Sequence, residues 1–202
     1  MTALNVMITQ LKTIFCLTDD EEKRMRQREI VLAENRTLKA VHGFNNKYAR
    51  EWVDPFVGVV YCNYLYQVGH MAYKKGWNSI ADKVYALNKM LHGVDLFYEV
   101  ELPEIWSCEH PVGTVMGRAV YGNRFFFYQG CTVGGSRHDG KLYYPVIGDD
   151  VLMYSNSKIL GRCTIGNHVI FAANSYVIDQ DIPENSIVFG QKPNLVIKTM
   201  GE

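Results

Sequence analysis

The sequence predicts an α+β protein: an α-helical N-terminal domain over residues 1–93, then a parallel β-helix of hexapeptide repeats over 94–202. Two observations carry this. Aliphatic-type residues recur at a strict interval of six through Ile147, Met153, Ile159, Ile165, Phe171 and Val177. Neither a helix nor a flat strand has that period; six residues make one side of a three-sided coil, and three such sides make a full turn. Upstream of about Asp95 the periodicity is helical instead, whereas beyond it Val, Ile, Phe, Tyr and Gly become dense.

The helical elements follow in order. Asp19 and Asp20 open a segment that turns basic towards Phe44, as a helix dipole favours, with Val31, Leu32, Leu38 and Val41 as a partial apolar face. Asp54-Pro55 reads as a helix start, with Asp as cap and Pro in the first turn. It leads into VYCNYLYQVGHMAYKKGW, which is apolar all round and therefore packed. Gly76 marks a turn, and Ser79–Leu91 is an amphipathic helix ending near Gly93.

In the coil, less pure rungs precede the regular ones: Leu96, Leu102, Cys108 and Thr114, then a slip of one residue into Val115, Tyr121, Phe127 and Val133. The gap from Val133 to Ile147 reads as two rungs plus two residues, with a loop extruded over 134–146. Gly148, Asn156, Gly161, Gly166, Asn167, Ala173 and Asn174 supply turn-prone corners. After Val177 a strand-turn-strand tail closes the coil.

Lys+Arg and Asp+Glu are both 21, so no net field draws the chain to nucleic acid or an anionic membrane. The five cysteines are odd in number and contain no CxxC pair, which predicts reduced thiols, a cytoplasmic setting and neither zinc nor a disulfide framework. No apolar run is long enough to span a membrane, and the first residues lack the signature of a signal peptide. His42, His92 and His168 have no partner nameable from sequence, His70 reads as a packing residue, and no histidine spacing suggests a metal site.

The segment YQVGHMAYKKGW, the region VDLFYEVELPEIWSCEHPVG, the TVGG turn, the KILGRCTIG rungs and the tail VFGQKP resemble bacterial serine O-acetyltransferases, over roughly residues 54–197. The resemblance implies a left-handed coil, acetyl-CoA as cosubstrate, and a homotrimer or dimer of trimers. It places the catalytic His on His110 and its acidic partner on Asp95. A neutral imidazole can take the proton of an acceptor hydroxyl as it attacks a thioester, and a carboxylate on the other ring nitrogen fixes the tautomer. Glu109 and Asp54 stand where the acceptor's amino group is held. The cosubstrate falls on Gly135, Ser155 and Ala173, with Lys192 near a phosphate; Tyr154 and Ser155 replace a usually small pair.

The chain departs from its relatives before Pro145, where Tyr143 and Tyr144 replace an Arg-His pair that contacts the acceptor's carboxylate region. Arg137 and His138 lie upstream as substitutes. Loss of an arginine fork weakens the case for serine itself, and an aromatic pair suits a sugar ring equally well. Two alternatives therefore stand beside a serine-type acceptor: a sugar O-acetyltransferase, and a non-catalytic trimeric scaffold. The chain ends KTMGE without a terminal Ile, so no complex with the next enzyme of cysteine synthesis is expected.

Overall fold

The computed structural model describes residues 2–44, 47–48 and 50–201. Glu202, on which the expectation about a docking C-terminus bears, lies outside them. The chain divides into two compact units, Met1–Glu99 and Val100–Glu202.

The first unit holds α1 (Ala3–Phe15), α2 (Asp19–Met25), α3 (Arg28–His42), α4 (Gly58–Lys74), α5 (Asn78–His92) and the short strand β1 (Asp95–Leu96). The single helix expected after Asp19 is two helices. Met25 and Ile30 are both fully buried, yet five residues apart they would lie about 140° from each other on one helix. The break after Arg26 lets both face the core. In α3 the buried face is Ile30, Ala33, Thr37, Ala40 and Val41, while Val31 and Leu32 point outward, contrary to the expected face. The helix expected to start at Asp54 begins at Gly58, and Asp54 accepts the Phe56 N–H at 3.0 Å in a tight turn before it. Helix α4 is buried along almost its whole length. Gly93 ends α5 in the left-handed conformation that glycine adopts at least cost.

Glu21 ties α2 to α5. Its carboxylate accepts from Thr18 in a capping box, from Ser79 Oγ at 2.6 Å and from Lys83 Nζ at 2.7 Å. Burial opposes the charge, but these bonds outweigh it and hold the carboxyl down to about 2, against an ordinary 4.5. A depressed acid stabilises the fold above its unfolded value and loses that contribution as pH falls through the folded one. We expect Glu21 to supply on the order of 1–2 kcal/mol at neutral pH, after allowance for solvent screening, and to lose it between about pH 4.5 and 2. Urea unfolding at pH 6 and pH 3 should differ less in Glu21→Gln than in the wild type; equal differences would exclude this role.

The second unit is a three-faced parallel coil. Its strands are β2 (Trp106–Cys108), β3 (Val115–Met116), β4 (Val120–Tyr121), β5 (Phe125–Phe127), β6 (Thr132–Gly134), β7 (Ser136–His138), β8 (Lys141–Tyr143), β9 (Val146–Ile147), β10 (Leu152–Met153), β11 (Lys158–Leu160), β12 (Thr164–Ile165), β13 (Ile170–Phe171), β14 (Tyr176–Ile178), β15 (Ser186–Phe189) and β16 (Val196–Thr199). One face stacks β3, β6, β11 and β14 in parallel. A second stacks β2, β5, β10, β13 and β15, closed by antiparallel β16. A third stacks β4, β9 and β12. The chain visits second, first and third face in turn.

The six regular rungs from Ile147 to Val177 are all buried. Successive turns pair Ile147 with Ile165, Met153 with Phe171 and Ile159 with Val177, eighteen residues apart. One turn is longer: Tyr121 pairs with Ile147, Phe127 with Met153 and Val133 with Ile159, each twenty-six apart. The excess of eight is the antiparallel hairpin β7–β8. The gap from Val133 to Ile147 is therefore one side plus eight residues, not two rungs plus two. The earlier slip is also larger than expected. Val115 is 40% exposed and Met116 points inward at 1%, because the turn after Cys108 contains two left-handed residues, His110 and Gly113.

One corner explains several turn residues together. A Cβ on Gly122 would stand 2.3 Å from the Gly148 carbonyl carbon, one on Gly148 2.9 Å from Gly166, and one on Gly166 2.4 Å from the Glu184 nitrogen. The side chains beside these glycines satisfy the corner's N–H groups from turn to turn. Asn123 Oδ1 accepts from Ile105, Asp149 Oδ1 from Asn123, and Asn167 Oδ1 from Asp149, at 2.9, 2.6 and 2.8 Å.

Candidate active site

The corner from the second face to the first brings four of the expected residues together: Glu109, His110, Ser155 and Ala173. The β2–β5–β10–β13 register sets Glu109, Tyr128, Tyr154 and Ala172 in one column, with His110, Gln129, Ser155 and Ala173 beside it. His110 has φ 52°, and its side chain is 69% exposed. Its Nε2 lies 3.8 Å from Glu109 Oε1, beyond hydrogen-bond length. Tyr128 and Tyr154 stack with centroids 5.3 Å apart and planes 12° from parallel. Tyr154 is 41% exposed, so the column presents an aromatic surface on the turns following His110.

Ser155 and Ala173 are neighbours on this corner, joined by the Asn174 N–H to Ser155 carbonyl bond of 2.9 Å. Small side chains here leave backbone open to a slender chain such as pantetheine, and in that respect the corner fits the cosubstrate. Gly135 lies at the other edge of the first face. A Cβ there would meet the Tyr143 carbonyl at 2.8 Å and the Leu142 and Tyr144 side chains at 3.0 Å, so the hairpin alone accounts for that glycine. Lys192 is at the tail, where it lines a cavity of about 260 Å³ with Tyr176, Gln180 and Gln191.

The hairpin carries Tyr143 and leads into Tyr144. Asp179, which sequence reasoning missed, pins it: it accepts from Ser136 Oγ at 2.8 Å, the Arg162 N–H at 2.7 Å and His138 Nε2 at 2.6 Å. Burial works against this charge, yet the three donors outweigh it and hold the carboxyl below its ordinary range. His138 is thus engaged by Asp179, and Arg137 donates to the Gly140 carbonyl within the hairpin tip. The Arg162 guanidinium sits 5.4 Å from the Tyr143 ring centre.

Asp95 and Asp54 belong to the helical unit. Asp95 Oδ1 accepts the Tyr85 hydroxyl at 2.7 Å, and its Oδ2 lies 3.0 Å from Lys89 Nζ. Asp54 is 3.5 Å from Arg50 Nε. The remaining histidines have structural partners. His70 is buried, 2.7 Å from the Tyr98 carbonyl. His42 meets the Arg50 carbonyl at 3.0 Å, and His168 lies 3.7 Å from Asp150. Burial pushes His92, bonded to Asn88, down to about 4.

None of the five cysteines, all of them among the described residues, is in a disulfide. Burial pushes Cys131 up, and burial with the Asp179 and Asp181 charges pushes Cys163 up to about 12, so neither is an activated nucleophile. Among the described residues no group of three or more His, Cys, Asp or Glu is placed to hold a metal ion. No described helix is long and apolar enough to cross a membrane.

Residues 144–179 match the bacterial transferase hexapeptide family of six repeats. The chain is 30% identical over 135 residues to a serine acetyltransferase of Staphylococcus epidermidis, covering 66% of this chain and 62% of that one. Among solved structures it is similar to the serine acetyltransferase of Neisseria gonorrhoeae, at TM-score 0.69 and 26% identity over 87% of this chain and 68% of that one. The same protein in complex with serine gives TM-score 0.65 and 27% identity, over 81% of this chain and 68% of that one. The chain spans 62–69% of the length of the first curated relatives it matches.

Proposed function

We propose that this chain belongs with the serine O-acetyltransferases among the hexapeptide transferases and moves acetyl from acetyl-CoA to a hydroxyl of serine or a related small acceptor, a reading its similarity to them supports. His110 at its exposed corner, in register with the small residues Ser155 and Ala173, is the observation that carries the reading.

In this reaction the neutral His110 ring removes the acceptor's hydroxyl proton. The oxygen attacks the thioester carbonyl carbon, and the tetrahedral oxyanion collapses as the carbon–sulfur bond breaks. The CoA sulfur leaves with the proton returned by the imidazolium. Asp95 orients His110, and Glu109 and Asp54 hold the acceptor's amino group. Tyr143, Tyr144 and His138 bound the rest of the acceptor. Ser155, Ala173 and Gly135 border the pantetheine arm, and Lys192 meets a phosphate.

The coil is left-handed in this reading, and the assembly is a homotrimer or dimer of trimers in the cytoplasm. Support for a shared site comes from the topology: His110 and the hairpin stand at opposite edges of the first face, so one copy alone does not bring them together. A neighbouring copy supplies the hairpin. The Tyr128–Tyr154 stack favours a sugar hydroxyl as the second acceptor class.

The test is thiol release from acetyl-CoA with a panel of serine, other amino alcohols and hexoses. Serine-dependent release is expected; release only with a hexose moves the assignment to the sugar class. If no acceptor supports release and saturating acetyl-CoA leaves Tm unchanged, the chain is a scaffold, since a ligand at a hundredfold its Kd stabilises the native state by about 2.7 kcal/mol.

A further inference from the structure

We infer that Arg162 is a binding residue for a carboxylate on the acceptor, so that the alcohol acetylated here is a hydroxy acid or hydroxylated amino acid rather than a neutral sugar. The inference rests on the function proposed above and names the acceptor's class. Arg162 stands at the corner from β11 to β12, one turn beyond the corner from which the hairpin β7–β8 leaves the coil. It is exposed, and no carboxylate of a described residue lies within ion-pair distance of its guanidinium.

The guanidinium is nevertheless held in place. Its carbon lies over the Tyr143 ring, 5.4 Å from the centre, a distance at which the ring quadrupole attracts a cation. The Arg162 N–H donates to Asp179 Oδ1 at 2.7 Å. The same carboxylate accepts from Ser136 Oγ at 2.8 Å and lies 2.6 Å from His138 Nε2, so hairpin and arginine share one anchor. Gly161 makes room for that anchor: its φ is 80°, and a Cβ there would stand 2.1 Å from Asp179 Oδ1 and 2.3 Å from Ser136 Oγ. The His138 ring lies 6.2 Å from the Tyr143 ring, centre to centre.

A guanidinium resting on a ring through its carbon keeps N–H groups at its edge for a ligand, and two parallel N–H groups match the two oxygens of a carboxylate. The neighbouring charges are already engaged. Arg137 donates to the Gly140 carbonyl at 3.2 Å, Asp179 has its three partners, and Asp181 accepts the Thr164 N–H at 2.7 Å. A neutral hexose offers nothing that needs a fixed cation, whereas a carboxylate set against an aromatic ring requires a partner for its charge. Arg162 lies on the same edge of the first face as the hairpin, so in the assembly proposed above it reaches His110 together with Tyr143, from the neighbouring copy.

The experiment compares serine with serinamide, which keeps the amine and the hydroxyl but replaces the carboxylate by a neutral amide. Thiol release from acetyl-CoA is measured for wild type, Arg162→Met and Arg162→Lys. Wild type is expected to favour serine over serinamide in kcat/KM by about 10–100-fold. Arg162→Met should remove that preference through the serine KM, with kcat/KM for serinamide and the acetyl-CoA KM within about twofold of wild type, and Arg162→Lys should restore part of it. A merely structural role would lower both acceptors alike and shift Tm. Equal use of the two by wild type, an equal loss of both in Arg162→Met, or turnover of hexoses alone overturns the inference and leaves the transferase reading standing. A wild type that acetylates no acceptor overturns the function instead. Binding then decides the carboxylate site: a Tm rise with serine but not with serinamide, lost in Arg162→Met, sustains it, and no such rise overturns it.

Discussion

Replacing His110 by Asn is expected to lower kcat about 10²–10⁴-fold, with the coil intact and the KM for acetyl-CoA little changed. The substitution removes the only proposed group that can take the hydroxyl proton. Asn is the informative replacement because the position has φ 52°, and Asn tolerates that left-handed conformation better than other non-glycine residues. His110→Ala would add a turn penalty of about 1–2 kcal/mol to the loss of the base and mix two effects. Since the His110 side chain is 69% exposed, no core contact is lost. Steady-state thiol release, alongside Tm, reads both quantities; unchanged turnover in His110→Asn would sink the mechanism.

Phe127→Ala is expected to destabilise the coil by about 3–5 kcal/mol. Phe127 is fully buried on the inner column of the second face, between Cys108 and Met153. It stacks on Trp106 at 5.9 Å, 8° from parallel, and contacts Phe125 at 5.9 Å. Close-packed aromatics in a coil lumen leave a cavity that neighbouring turns cannot collapse, because their spacing is set by backbone hydrogen bonds. Urea unfolding followed at Trp106 should show the loss. Phe126→Ala, one residue along and outward-facing, is the control and should cost far less.

The regular rungs were fully legible, since an aliphatic residue every sixth position has no other simple cause. The irregular places were not. Fourteen residues from Val133 to Ile147 fit two sides plus two residues or one side plus eight, and both keep Ile147 on a rung. Only strand pairing distinguishes them, by putting Val133 on the first face and Ile147 on the third. The slip after Cys108 is illegible for a related reason: left-handed residues at His110 and Gly113 alter chain direction without a unique sequence signal. Asp54 before Pro55 reads as a helix cap, yet the same side chain can close a local turn, and here it does.

The site shows the same pattern. His110 is legible through the EHPVG segment, on which the resemblance places the catalytic His. The Tyr128–Tyr154 stack was hidden, because its members are adjacent in space only once the hairpin is subtracted from the count. Asp179 was hidden likewise, since it acts across two turns on side chains that are not part of the coil.

The long turn has a consequence for how such a protein can change. Removing the eight residues of excess would leave the repeat in phase, with every later rung still on its own face. Insertions or deletions in this arm therefore need not disturb the corner that bears His110. On the function proposed above, preference for one alcohol over another can drift by exchange of a peripheral segment, while the apparatus proposed to move the acyl group is inherited unaltered.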